Sequence, residues 1–537
     1  MVLDAPVAKV ETGRLADTQK AKTWTIIIVV TLLCECSTLQ YSMVSPAAIL
    51  IAPSFPGVGA NISWMTTVFG LVGGVATPLV GKASDLWGKK RLLVISGALF
   101  VIGSVICVVG HNWALFLVGR GFQALSLGSV AVSYGLFRDV LPRRYIPMSL
   151  GVLVTGFGLS AIAAPLLSGY LTDHNSWRSI FWFLLAYGVI TLALLALLVP
   201  ETAYRVKQRL DVLGALILSG GVALCLVYLS NGPTWGWSSS GSLPYLIAGV
   251  VLLAAFLPWE RRVAQPIIDL AVLLNPKVLM TIALYFFGSL AIGAIAYAVP
   301  LMLETPHASS LILSAQQGTA AQTHLSLAQT AALLHFNLND GLKFAAGVSL
   351  IGVALHGSLF QGGWSMLTGP GASWWGAKHG PRRPAIAGYL ALLLAGVSLL
   401  TTSEHGIWFF ALTTSLFGIG FGVMYACSPN LLIDAVPPRQ QGISAGMLAV
   451  FGSLATAVGS AAVTAFIFAN PLVLTVSSGG KTVSTVNLSK MDSLGTWHAF
   501  VDVAWMIVIS GALGLLIALV MRHGREPSTA GQASEEL

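Results

Sequence analysis

The sequence predicts an all-α polytopic membrane protein with fourteen transmembrane helices. Hydrophobic residues make up 55% of its 537 residues, charged residues only 9%, and the mean hydropathy is +0.81. A soluble surface needs more charge than this. The short connections between apolar stretches alternate between basic and nearly uncharged. Because the first 23 residues are polar and precede a long apolar run, we expect a retained anchor rather than a cleaved signal peptide.

A transmembrane helix needs about 20 predominantly apolar residues. Stretches that meet this requirement begin near Trp24, Ile62, Leu92, Trp113, Met148, Ser179, Val212, Leu243, Leu279, Phe344, Pro384, Ile407, Gly442 and Ala499. Basic residues gather in the connections on one side: Lys82, Lys89, Lys90, Arg91, Arg143, Arg144, Arg205, Lys207, Arg209, Arg261, Arg262, Lys378, Arg382, Arg383, Arg439, Arg522 and Arg525. The positive-inside rule then predicts a multi-pass cell-membrane protein with both termini in the cytoplasm, which requires an even number of spans.

The remaining composition excludes several classes of function. The net charge of +8 follows from the membrane orientation, so we predict no nucleic-acid partner. The five cysteines lie in apolar runs and indicate packing thiols rather than disulfides or a zinc site. A Walker A loop and an HExxH motif are missing, and no GxSxG stands in a strand–turn–helix context. We therefore predict a protein that is not an enzyme, holds no metal or cofactor, and draws energy from an ion gradient.

An internal repeat divides the chain into two halves. The stretch PLVGKASDLWGKKRLL, which starts at Pro78, is echoed by GPGASWWGAKHGPRRP from Gly369, and RDVLPRR is echoed by IDAVPPRQ. Each pair lies two spans apart within its half, as in transporters built from repeats. We predict tails at 1–23 and 522–537, six-helix bundles at 24–200 and 271–521, two inserted helices at 201–270, and an outer insertion at 305–340.

Several motifs resemble the major facilitator superfamily, and within it the fourteen-span drug:proton antiporters. GKASDLWGKKR, from Gly81 to Arg91, matches the loop signature between spans 2 and 3, and RGFQ, from Arg120 to Gln123, resembles the intramembrane arginine motif. Stretches typical of the fourteen-span group are WRSIFW from Trp177, LDVLG from Leu210, GPTWGW from Gly232, and WERR with QPIIDL from Trp259 to Leu270. The resemblance implies the major facilitator fold, alternating access and a monomer.

The resemblance also implies roles for single residues. It assigns an inner gate to Gly81, Asp85, Gly88, Lys89, Lys90 and Arg91, in which Asp85 caps a helix or pairs with a cation; a solvated loop acid is the alternative. It makes Arg120 a partner in proton coupling that points into a water-accessible interior, with snorkelling as the alternative.

Span 5 carries a variant of the antiporter motif, GFGLSAIAAPLLSGYL. Ala164 stands before Pro165 where the family has glycine, and Ser168 stands before Gly169 where a second glycine is frequent. Small residues still allow close helix approach. We predict that the contact between the two bundles is shaped by Gly156, Gly158, Pro165 and Gly169.

Glu35 interrupts the apolar run LLCECSTLQY in span 1. The group's usual acid falls at Gln40 here, five residues later. At 100° per residue, Thr38, Ser42 and Ser45 share the face of Glu35, whereas Gln40 lies about 140° away. Because a polar stripe of this kind is unfavourable against lipid, we expect it to line the central cavity or a helix contact. Glu35 is then the candidate proton carrier, with a structural acid as the alternative.

Other polar and aromatic residues inside predicted spans are candidates for lining a substrate cavity, although each could be a packing residue. These candidates are Thr38, Ser42, Gln123, Tyr134, Tyr285, His356, Gln361 and Tyr425. Aromatic rings such as these can stack on a planar or cationic ligand.

Two outer segments stand apart. Residues 305–339 contain no charged side chain, and LSLAQTAALLHF spaces Leu327, Ala331 and Leu334 like one helix face. We expect an interfacial helix on the outer leaflet, or else a loop. Residues 470–497 predict a hairpin around Gly479 and Gly480.

These observations together predict a proton-coupled secondary active exporter of amphipathic organic compounds, of the multidrug-efflux and antibiotic-resistance type. Its partners are protons, small molecules and the lipid bilayer. One alternative is a lipid or glycolipid exporter of the same fold, and the uncharged outer segment is the observation that suggests it. The other is a membrane sensor or scaffold that does not transport.

Overall fold

The computed structural model describes residues 14–44, 47–56, 58, 64–202, 211–263, 266, 268, 270–402, 406–436, 441–489 and 494–527. Long helical segments dominate this part of the chain. Their bounds are Lys20–Val44 (α1), Trp64–Trp87 (α2), Lys89–Val109 (α3), Trp113–Val140 (α4), Ile146–His174 (α5), Arg178–Leu198 (α6), Val212–Trp235 (α7), Leu243–Glu260 (α8), Pro276–Glu304 (α9), Leu359–His379 (α10), Arg382–Leu400 (α11), Trp408–Ile433 (α12), Gln441–Ala469 (α13) and Trp497–Val520 (α14).

Eleven helices within the described residues are long and apolar enough to cross a membrane by length and composition. The helices α2, α7 and α10 lie where the sequence predicts spans 2, 7 and 10. A 3-10 turn, Leu125–Leu127, interrupts α4, and a π-helical turn, Ala354–Ser358, leads into α10. The predicted all-α architecture is confirmed, and the count of fourteen transmembrane helices stays a prediction.

Short polar side chains begin several of these helices by accepting the first free backbone N–H groups. Asn112 accepts from Leu115 N at 2.8 Å at the start of α4. Asp211 accepts from Gly214 N at 2.9 Å at the start of α7. These caps explain why the helices restart directly after short connections.

Two hydrophobic cores form, one in each half of the chain. The first is built mainly from α1 and α3–α6 and contains Phe100 and Phe181. The second is built mainly from α9–α14 and contains Phe417. Phe421 and Tyr425, both in α12, pack against both cores. The halves therefore meet beside α12.

Two pairs of long helices carry the contact between the halves. Helix α5 packs along α10, and α2 packs along α13. The inserted pair α7 and α8 pack on each other, and α7 also contacts α2 and α13. The insert therefore lies against one of the two seams between the halves.

A small sheet joins two segments of the second half. Strands β1 (His335–Leu338), β2 (Val473–Ser478) and β3 (Lys481–Asn487) are antiparallel in that order. Gly479 and Gly480, with φ of 56° and 80°, form the turn between β2 and β3. The pairing of β2 with β3 confirms the predicted hairpin. Glycine suits its turn because left-handed backbone favours this residue.

The uncharged segment before β1 is helical in two pieces, Ala308–Thr323 and Leu327–Leu333. Ser326 and Gln329 form a reciprocal capping box at the start of the second piece. A helix therefore forms here rather than a loop, and it is shorter than expected because His335–Leu338 pairs with β2. Its position at the outer leaflet stays a prediction.

Candidate functional site

Glu35 is a residue of α1, and its side chain packs against α5. Its side chain is only 3% exposed, and Oε2 accepts a hydrogen bond from Ser160 Oγ of α5. Oε1 is buried and has no hydrogen-bond partner among the described residues. Gly156 provides the space, because a Cβ there would lie 3.1 Å from Glu35 Cδ. A buried, half-satisfied carboxylate inside a span is a functional candidate.

The predicted polar stripe of α1 divides in the structure. Thr38 and Ser42 are partly exposed, as cavity-lining residues would be. Glu35 is buried against α5, so it occupies a helix contact, the second of the two expected positions, and does not face the cavity directly. The reason is the opening at Gly156, where α5 supplies both room and a hydroxyl donor. Ser45 lies outside the described residues.

Arg120, the eighth residue of α4, is fully buried rather than facing the expected water-accessible interior. Its Nη1 donates to Gln40 Oε1 at 2.5 Å and to Gln123 Oε1 at 2.7 Å, and its Nε donates to Met65 O at 3.2 Å. The guanidinium lies 5.1 Å from the ring centre of Phe69. These contacts fix the arginine between α1, α2 and α4.

The two predicted proton-coupling residues therefore have separate partners. The acid bonds to a hydroxyl of α5, and the arginine bonds to two amides. Gln123, predicted as a cavity residue, is buried because it accepts from Arg120 and donates to Ser104 Oγ at 2.9 Å. Sequence reasoning missed Ser160, whose only signal is its position on the motif-bearing span 5.

The inner-gate motif forms a buried charge cluster. Lys89 is 1% exposed, and its Nζ lies 2.9 Å from Asp85 Oδ1 and 2.7 Å from Asp139 Oδ2. Asp85 thus pairs with a cation, one of the two predicted roles. The second acid, Asp139, comes from the end of α4, and Arg138 Nε donates to its Oδ1 at 2.9 Å. This charge cluster therefore ties α2, α3 and α4 together.

The start of α3 is capped by Glu201, which follows α6, and not by Asp85. The carboxylate accepts from the backbone N–H groups of Lys90 and Arg91, both at 3.2 Å. An anion is favourable at a helix N-terminus. Gly88 is required at this point because its φ is 103° and a Cβ would lie 2.7 Å from Glu201 Oε1. Gly81, by contrast, has open space around it.

The inserted helices reach the same region through Lys82. Its Nζ donates to Pro266 O at 2.8 Å, in the segment that follows α8. Asp211, at the start of α7, accepts from Trp259 Nε1 of α8 at 3.0 Å. The first bond connects the insert to α2 within the GKASDLWGKKR motif, and the second joins the two inserted helices to each other.

Glycines of α5 lie on both of its contact faces. Gly156 faces α1, while Gly158 faces α10, where an added Cβ would lie 2.6 Å from Gly362 O. Gly169 abuts Ile351 at the outer end, and Pro165 lies inside α5. The predicted seam residues therefore split between the α1 contact and the contact between the halves.

Aromatic side chains meet where the halves join. Tyr425 lies 5.9 Å from Tyr285, 5.8 Å from Phe157 and 4.6 Å from Phe421, measured between ring centres. Tyr134 packs against the same first-half core as Tyr425. Tyr134 and Tyr425 are partly exposed, whereas Tyr285 is buried. This aromatic cluster draws on α5, α9 and α12.

Two further cavity candidates, His356 and Gln361, also lie outside this cluster. His356 Nδ1 is 2.9 Å from Gly352 O, and its ring lies 5.1 Å from Trp408, which is a packing arrangement. The backbone of Gln361 packs against Gly418. Within the described residues, no group of three or more metal-binding side chains forms.

Comparison with known proteins bears on this arrangement. A family model described as Major Facilitator Superfamily matches residues 30–334. The chain is 30% identical over 316 residues to the MFS-type transporter Rv1877 of Mycobacterium tuberculosis strain H37Rv, a match that covers 57% of this chain and 46% of that relative. The chain thus spans about half the length of this relative.

A second relative is matched over most of both chains. The tetracenomycin C resistance and export protein of Streptomyces glaucescens is 25% identical over 409 residues, covering 74% of this chain and 68% of that protein. Among solved structures, the human organic anion transporter MFSD10 (TETRAN) superposes with a TM-score of 0.54 at 15% identity, over 92% of this chain and 99% of that one. At this identity the superposition shows the shared fold.

Proposed function

The chain belongs to the major facilitator superfamily, and on that premise we propose that it is a proton-coupled exporter of amphipathic organic compounds that works by alternating access. The observation that carries the proposal is the hydrogen bond from Ser160 to Glu35. It joins an ionisable group of α1 to α5, a helix that also packs along α10 of the other half.

Proton binding would act through this geometry. A carboxylate at Glu35 accepts from Ser160, whereas a carboxylic acid also carries a donor. The bonding between α1 and α5 therefore changes with protonation. Because Gly156 and Gly158 stand on opposite faces of α5, a shift at the α1 contact is transmitted to the contact with α10. This couples the proton to the seam between the halves.

The charge cluster around Lys89 is the basis on which we assign a conformational state to the structure. Lys89 holds Asp85 and Asp139 together, and Glu201 holds the start of α3. We assign this cluster to the state in which the inner side is closed, since separating these groups would expose two acids and a lysine that now pair. To open the inner side, the end of α2, the start of α3 and the end of α4 would then have to separate.

The aromatic cluster is the proposed substrate site. Tyr425, Tyr285 and Phe157 come from both halves, so a molecule stacked among them would be contacted by each half. Aromatic faces attract planar rings and cations. A relative described as a tetracenomycin C resistance and export protein supports the export of an organic compound. A proton entering along the membrane potential supplies about 2.3 kcal/mol per 100 mV, in addition to the pH difference.

Efflux from proteoliposomes tests the proposal. Purified protein would be reconstituted with internal ethidium, and dye release would be followed with and without a pH gradient. We expect gradient-dependent release by the wild type, and release no faster than from protein-free vesicles for Glu35→Gln, with ethidium binding retained. Ser160→Ala should lie between them. The matched control is Glu526→Gln, at an exposed acid that follows α14 in the chain. It should behave like the wild type.

Other outcomes of the same assay would reject the proposal. Release that ignores the gradient, or an unchanged Glu35→Gln protein, would overturn proton coupling through Glu35. A parallel preparation with fluorescent phospholipid tests the lipid exporter, which would move the lipid and not ethidium. Saturable ethidium binding without any transport would indicate a sensor.

A further inference from the structure

A groove on the outside of the second half lies away from the aromatic cluster. It has a volume of about 290 Å³ and runs between α9, α13 and α14. Its walls are almost entirely apolar: Phe287, Leu290, Phe466, Trp505, Met506, Ile509 and Leu513. Trp505 and Ile509 are 52% and 55% exposed. The groove is therefore open towards the surrounding lipid along its length.

One acid stands at the end of this groove nearest the start of α14. Asp502 lines the groove, and its Oδ2 accepts from Asn470 Nδ2 at 3.0 Å. Asp502 is exposed and Asn470 is partly exposed. Within the described part of the chain, Asp502 forms no salt bridge. A negative charge on a lipid-facing helix surface thus has an uncharged amide as its partner.

The dimensions match one leaflet. Asp502 lies five residues after the first residue of α14, about 7.5 Å along the axis. Leu513 is eleven residues further, or about 16 Å, which is roughly half the thickness of a hydrocarbon core. Trp505, Ile509 and Leu513 follow Asp502 at spacings of three and four, so they share one helix face. Charge and apolar surface are therefore aligned from interface to bilayer centre.

A hydrogen bond between α14 and α9 holds the floor of the groove in place. Ser510 Oγ donates to Phe287 O at 2.6 Å and thereby ties α14 to α9 beneath the apolar walls. The groove residues of α14 lie in one row, spaced three and four positions apart, and a single extended chain can follow such a row.

We infer that this groove is a binding site for single-chain cationic amphiphiles, with the ammonium group at Asp502 and the alkyl chain along Trp505, Ile509 and Leu513. The acid selects a positive head group, and the indole of Trp505 adds an aromatic surface at the level of the head group. The inference goes beyond the proposed function, because binding in the groove requires no transport.

Equilibrium binding of radiolabelled dodecyltrimethylammonium tests this site. The full-length protein in phosphatidylcholine nanodiscs should show a saturable component that empty nanodiscs lack. Asp502→Asn should weaken it about fivefold, which corresponds to about 1 kcal/mol. Ile509→Trp, which fills the groove, should abolish it. The matched controls are Asp173→Asn, at an exposed acid near the end of α5, and Leu516→Trp, on the exposed surface of α14; both should bind like the wild type.

The competitor experiments decide the occupant. Unlabelled dodecyltrimethylammonium should displace the probe, and dodecyl sulfate should not. Equal displacement by dodecyl sulfate, or full binding by both Asp502→Asn and Ile509→Trp, would overturn the inference. Displacement by phosphatidylethanolamine built into the nanodisc would show that a resident phospholipid fills the groove, which also contradicts it. Retained ethidium efflux in Asp502→Asn would show that the variant is folded and leave the proposed function standing.

Discussion

Arg120 Nη1 donates to Gln40 Oε1 at 2.5 Å, so the buried arginine of α4 is held by an amide of α1. The resemblance to the antiporter group leads one to expect a carboxylate at position 40. Here the acid stands at Glu35 and bonds to Ser160 instead. The positive charge and the acid are thereby assigned to different helix contacts.

Gln40→Ala should destabilise the protein. The change leaves the guanidinium of Arg120 with fewer acceptors in a buried place, and a hydrogen bond to a charged group contributes about 1.5–3 kcal/mol. The free energy of unfolding, measured by denaturant titration in detergent, should fall by that amount. Thr38→Ala, at a partly exposed site in the same helix, is the control and should change it little; equal effects would contradict the assigned role of Gln40.

Lys89→Met should loosen the inner gate. It leaves Asp85 and Asp139 facing each other without their shared cation, and breaking a buried pair costs about 3–5 kcal/mol. Hydrogen exchange at the adjoining ends of α2, α3 and α4 should accelerate. Lys90→Met provides the comparison, because the described bond of Lys90 is made by its backbone. Unchanged exchange in Lys89→Met would show that the cluster does not hold the gate.

Gly158→Ala should disturb the seam between α5 and α10. The added methyl group would lie 2.6 Å from Gly362 O, and overpacking of this kind costs about 1–3 kcal/mol. Ethidium efflux should slow, and the thermal midpoint should fall. Gly363→Ala, on α10 with open space around it, is the control. Normal efflux by Gly158→Ala would mean that the seam tolerates wider spacing than this structure shows.

His523, which follows α14, should make stability depend on pH. Burial and the neighbouring Lys277 lower the pKa of His523 to about 4, and its Nε2 lies 2.9 Å from Thr281 Oγ1. An unfolded chain protonates histidine near pH 6.5. The unfolded state therefore binds more protons between about pH 6.5 and 4, and stability should fall as the pH drops through this window.

Thermal midpoints of wild type and His523→Gln between pH 4 and 8 check this effect. The wild type should lose stability on acidification more steeply than the variant. His498→Gln, at an exposed histidine at the start of α14, should keep the slope of the wild type. Parallel curves for wild type and His523→Gln would contradict the lowered pKa.

The sequence by itself determined the membrane class, the positions of the helices and the gate motif. Apolar runs of about 20 residues and basic connections leave few other solutions, because the bilayer requires every backbone group to be satisfied within helices. The hairpin at Gly479 and Gly480 was also predictable, since left-handed backbone favours glycine.

Only the tertiary structure decided the partners of the polar residues. Helical periodicity places Glu35, Thr38 and Ser42 on one side of α1, but it cannot show that Gly156 and Ser160 of α5 approach that side. In the same way, Asp139 joins Asp85 through Lys89, although 54 positions separate the two acids in the chain. A buried charge is stabilised by whichever helix packs against it, and helix packing depends on side-chain shape across the whole bundle.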